Sequence, residues 1–62
     1  MKSKDYVEIL PGNYVKNKNK NEWGIGQVQS SIGDIITVNF ENVGKKVINS
    51  KNVVLKKIKK NE

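Results

Sequence analysis

The sequence predicts an all-β fold, a small closed barrel of five strands, and three observations carry that expectation. Ile35-Ile36-Thr37-Val38-Asn39-Phe40 is a β-branched and aromatic run with period-two alternation, the pattern of a half-buried strand. Trp23-Gly24-Ile25-Gly26-Gln27-Val28-Gln29-Ser30 sets two glycines one residue apart ahead of a polar/apolar alternation. It reads as a strand that bends hard before it joins a sheet. Turn residues recur at short intervals, and almost nothing signals a helix. With 62 residues the chain is one domain near the lower limit for folding alone. That is too short for two packed sheets and long enough for a minimal barrel.

Residues 1–10 are a leader, polar at first and then Tyr6-Val7-Glu8-Ile9-Leu10, which suits either an edge strand or a flap over the open end of the barrel. Pro11-Gly12 is a turn signal and opens the barrel proper. Asn13-Tyr14-Val15-Lys16 is the first strand, with Val15 in the core. Residues 16–22 hold no apolar side chain and form a loop, either a solvated excursion or a basic finger. In the second strand, residues 23–30, an inward Val28 also turns Gly26 and Gly24 inward, where a missing Cβ permits tight closure. Trp23 and Ile25 then take the other face, unless a bulge at the glycines shifts the register.

Ser31-Ile32-Gly33-Asp34 closes a hairpin with Gly33 at positive φ. The third strand points Ile36, Val38 and Phe40 into the core. Glu41-Asn42-Val43-Gly44 is the next turn, with Gly44 suited to positive φ. Lys45-Lys46-Val47-Ile48-Asn49 is the fourth strand. Ser50-Lys51-Asn52 reads as a turn with a capping serine that leads into a single 3₁₀ turn. Val53-Val54-Leu55 is the last strand and closes the barrel against the first. The barrel therefore spans residues 11–55, and residues 56–62 are a basic tail, four lysines around Ile58, expected to fray.

Composition narrows the function. There is no cysteine and no histidine, which removes disulfides, thiol nucleophiles, imidazole acid–base chemistry and the usual zinc ligands. No nucleophile–base pair, metal set or cofactor motif is present, so the reading is a protein that is not an enzyme and carries no cofactor. Gly24 and Gly26 do not make a phosphate cradle, since no helix follows them. Glu22 and Glu41 form no catalytic dyad and suit ion pairs with loop lysines, while Asp34 supports its turn. No apolar run reaches the length of a membrane span, and residues 1–5 are not followed by an apolar signal core; the expectation is a soluble, cytoplasmic protein.

The net charge is +6, and all twelve basic residues are lysines. The excess favours acidic partners or phosphates, or simply keeps the chain solvated. Absence of arginine disfavours bidentate reading of guanine and hence sequence-specific DNA recognition. Strand parity places the loop after the first strand and the turn after the third at the same end of an up-and-down barrel. Lys16, Lys18 and Lys20 should then gather with Lys45 and Lys46 around Trp23. An aromatic amid lysines suits stacking on a base or a partner side chain. Equally, Trp23 suits a lid over Val15 and Phe40. Tyr14 is either an exposed contact on the outer face of the first strand or a partly buried ring.

The ordered segments Pro11-Gly12-Asn13-Tyr14-Val15, Glu22-Trp23-Gly24-Ile25-Gly26-Gln27-Val28, Ile36-Thr37-Val38-Asn39-Phe40 and Gly44-Lys45-Lys46-Val47-Ile48-Asn49 carry a resemblance. They look like a family of short bacterial proteins catalogued as a domain of unknown function. The same set is similar to the Tudor-like, SH3-like segment at the C-terminus of UvrD/PcrA-type repair helicases, and to the polymerase-interacting domain of CarD-type transcription regulators. The resemblance covers residues 11–55 and implies a five-stranded SH3-like (Tudor-like) barrel, with Gly12, Gly24, Gly26, Gly33 and Gly44 in structural roles.

For function the resemblance implies docking onto RNA polymerase or a repair factor rather than chemistry. The helicase motor has no counterpart in these residues, so unwinding and ATP hydrolysis do not carry over. Relatives often have arginine or histidine where this chain has Asn17 and Lys46. Two expectations result: a monomeric protein-docking module that uses a strand edge and the Trp23 end, or a non-specific nucleic-acid binder using Trp23, the loop lysines and the tail.

Overall fold

Six apolar side chains that alternate with outward-facing neighbours along the chain, Val15, Val28, Ile36, Val38, Phe40 and Ile48, turn inward and form one buried cluster. The computed structural model describes residues 8–59. The strands that carry these residues are β1 (Tyr14–Asn17), β2 (Gly26–Ile32), β3 (Ile35–Phe40) and β4 (Gly44–Asn49), followed by β5 (Leu55–Ile58). All neighbours are antiparallel, in one five-stranded sheet of order β4-β3-β2-β1-β5. Ile9, Trp23, Val53 and Leu55 pack around the margin of the core, half-buried. The all-β expectation holds, and so does the inward placement of Val15, Val28, Ile36, Val38 and Phe40.

Closure is where the fold departs from expectation. The last strand does pair with the first, but no ladder joins β4 to β5 among the described residues, so the curled sheet keeps an open seam. An SH3-like fold is compatible with this arrangement. The last strand also starts two residues late. Val53 is spent on the turn, where its N–H donates to Asn49 O, and pairing begins at Leu55 opposite Asn17. Residues 56–58 are therefore strand rather than frayed tail. The leader's strand-or-flap question falls largely on residues 1–7, outside the described residues; Glu8 to Leu10 carry no strand.

The bend in the second strand is built differently from the expected one. Residues 21–23 form a 3₁₀ turn (Asn21–Trp23), and Gly24, at φ +81°, stops it before β2 begins at Gly26. Gly26 faces inward as expected: a Cβ there would lie 2.4 Å from Val38 Cγ1 and 2.6 Å from Phe40 Cδ1, so only hydrogen fits. The bulge sits not at the glycines but beyond them, between Val28 and Ser30. Val28 opposes Val38, yet Ser30 opposes Thr37 and Ile32 opposes Ile35. One extra residue thus turns Ile32 outward, where strict period two from Val28 would have turned it in.

The hairpin turn shrinks to Gly33-Asp34. Positive φ at Gly33 and not at Asp34 suits a type II′ connection. Gly12 and Gly44 also take the positive φ that their turns require. The expected serine cap is replaced by Asn49, whose Oδ1 accepts the Lys51 N–H, and the single 3₁₀ turn lies before β2 instead of after β4.

Candidate functional site

Strand parity brings the loop after β1 and the turn after β3 together, and hydrogen bonds stitch them. Glu41 N–H donates to Ile25 O at 2.9 Å, and Asn42 N–H to Trp23 O at 3.1 Å. The side chains complete the seal: Ile25 N–H donates to Glu41 Oε1 at 3.1 Å, and Asn42 Nδ2 to Glu22 O at 2.9 Å. Glu41 thus bonds backbone and Glu22 offers its carbonyl, in place of the expected ion pairs with loop lysines. The one ion pair among the described residues is Lys51–Asp34 at 3.5 Å, exposed on both sides and worth little.

Trp23 sits in the middle of this end. Its ring meets Phe40 edge-on, centroids 5.1 Å apart at 67°, and Lys46 Nζ lies 5.4 Å from its centroid. Such aromatic pairs contribute about 0.5–1.5 kcal/mol beyond area, and a partly exposed cation–π contact about 0.5–1 kcal/mol. The lid role is therefore realised, and of the expected lysines only Lys46 is in contact with the ring.

The other lysines disperse. Along β1, Val15 and Asn17 are buried while Tyr14 and Lys16 take the outer face, with Lys16 opposite Lys56. Lys18 N–H donates to Val54 O at 3.2 Å, which carries that residue to the β5 side. Lys20 anchors the 3₁₀ turn through its backbone, accepting from Trp23 N–H. Lys45 is exposed on the outer face of β4 opposite Asn39, while Lys46 lies on the inner face with Ile48. Tyr14 is half-buried on the outer face, where with Gln27, Asn39 and Asn42 it lines a polar groove of about 450 Å³.

Two surfaces were not legible as sites. A groove of about 830 Å³ occupies the open seam beside β5, floored by Ile9, Ile36, Val53 and Leu55. Its sequence signals were Leu55, read as the end of the last strand, and the lysine-flanked Ile58, read as tail. The second is an outer-face patch in which Ile32 opposes Ile35, with Val47 diagonal to Ile35 on β4. All three are exposed. Its signal was hidden by the bulge.

Residues 9–58 match the model of a family described as "Protein of unknown function (DUF3553)". The chain belongs to this family. The match spans every strand of the DUF3553 fold, including β5, and bears out the part of the resemblance that pointed to a domain of unknown function. No curated protein and no solved structure matches the chain. Among the described residues no helix is long and apolar enough to cross a membrane, and no group of His, Cys, Asp or Glu gathers to hold a metal.

Proposed function

We propose that this DUF3553 chain is a non-catalytic docking module whose partner is a protein of the bacterial transcription or DNA-repair machinery, RNA polymerase first among them. The observation that carries the reading is the outer-face patch. Ile32, Ile35 and Val47 are 76 %, 44 % and 68 % exposed and adjacent across three strands. Single exposed aliphatics need no explanation, whereas three neighbouring ones on one sheet face are suited to burial against another protein. RNA polymerase is named because of the resemblance to polymerase-docking barrels.

The competing reading, non-specific nucleic-acid binding, draws on the charge of +6. It is weakened by the dispersal of Lys16, Lys18, Lys45 and Lys46 over different faces, and by Trp23 already packing against Phe40 under Lys46. The test is an amide-resolved NMR titration at physiological salt, where the Debye length is about 8 Å. Core RNA polymerase, duplex DNA and single-stranded DNA are added in turn. Saturable perturbation of Ile32, Ile35 and Val47 by polymerase alone supports the proposal. Saturation by DNA at residues 16–23 and at Lys45 and Lys46 replaces it with the nucleic-acid reading.

A further inference from the structure

The seam groove lies on a different surface from the patch, and its chemistry is specific enough to name a ligand. Its floor is aliphatic, Ile9, Ile36, Val53 and Leu55, with Ile36 shared with the buried core. Its rim is cationic, from Lys18, Lys56, Lys57 and Lys59, and among the described residues no acidic side chain lines it. An apolar floor inside a ring of like charge attracts a ligand that is apolar and anionic at once.

The backbone adds a direction. Lys18 N–H donates to Val54 O, one step beyond the Asn17–Leu55 pair, and this sets the phase of the β1–β5 ladder. Hydrogen-bonded and non-bonded pairs alternate in an antiparallel ladder. The amides and carbonyls of Lys56 and Ile58 therefore point at β1. Those of Leu55 and Lys57 point the other way, along the edge that borders the groove. That edge has no strand partner among the described residues. Lysines at 56 and 57 deter pairing with another copy of so cationic a chain. They do not deter a strand of opposite charge.

We propose that the β5 seam binds an extended acidic peptide segment of a partner protein, in which Asp or Glu alternates with Val, Ile or Leu. The segment adds a strand to β5 through the backbone groups of Leu55 and Lys57. It seats its aliphatic side chains on the seam floor beside Leu55 and, alternating with them, its carboxylates on the outer face against Lys18 and Lys56. The inference rests on the protein-docking reading but not on the outer-face patch.

The probe is a short synthetic peptide of alternating Glu and Val, titrated into the full chain at physiological salt. Saturable shifts along residues 53–59 are expected, with hydrogen exchange slowed at the Leu55 and Lys57 amides and unchanged at Lys56. The exposed double variant Lys18→Glu/Lys56→Glu should keep the fold and bind about tenfold more weakly. Equal binding of a Glu–Ser peptide overturns the proposal, because the floor then contributes nothing. Equal protection at the Lys56 amide overturns the added strand, and saturation of the same residues by single-stranded DNA overturns the ligand class. Self-association that closes the seam without peptide overturns it in favour of a second copy. Val47→Lys should weaken polymerase docking and leave peptide binding unchanged, so failure of either proposal is visible without the other.

Discussion

The two ends of the curled sheet solve the same problem in opposite ways. At the Trp23 end, loop and turn are joined by two backbone bonds, a carboxylate–amide bond, an amide–carbonyl bond and a ring pair. At the β5 seam, among the described residues, Lys57 Nζ donates to Glu8 O at 3.4 Å, and the floor is left to aliphatic side chains. An end whose polar groups are paired internally has little to offer a partner. An end whose strand edge has no partner among the described residues, above an apolar floor, has both backbone and side-chain contacts to give. The aromatic ring that attracts notice in the sequence therefore belongs to the closed end, and the unremarked lysine-flanked strand belongs to the open one.

Substitutions break this contrast in graded steps. Phe40→Ala, which removes the ring beneath Trp23, should cost about 3–5 kcal/mol, most of what a core this small supplies. Urea unfolding followed by Trp23 fluorescence reads this as loss of the folded baseline. Gly26→Ala forces a methyl against Val38 and Phe40 and should cost about 1–3 kcal/mol, seen as a lower denaturation midpoint. Glu41→Ala unseals the closed end by removing the acceptor of Ile25 N–H. About 0.5–1.5 kcal/mol is expected, with faster exchange confined to Ile25 and its neighbours. Lys56→Glu at the open seam should move stability by no more than about 0.5 kcal/mol, since Lys56 is exposed and outward. A seam substitution as costly as the Glu41 one would mean that the seam is structural, and the contrast would fail.

Val15, Ile36, Val38 and Phe40 were legible because each strand that carries them alternates without interruption. Gly33 and Gly44 were legible because tight turns need positive φ, which glycine adopts without a Cβ clash. Parity between the two loops at the Trp23 end was legible too, since an up-and-down order leaves only two ends. Which lysines would share that end was not. A backbone position sets where a side chain starts, but the face it takes depends on register, and Lys45 and Lys46 diverge by a single step.

By itself, the sequence determined an all-β chain, the inward residues of its regular strands and the sites of its turns, all consequences of local periodicity and backbone sterics. Tertiary structure decided what depends on pairing between distant segments. The bulge after Val28 exposes Ile32, the β1 ladder recruits residues 55–58 as a strand, and the missing β4–β5 ladder leaves a groove. A one-residue shift in register exchanges the faces of everything beyond it, and nothing local to Gln29 or Ser30 records that shift.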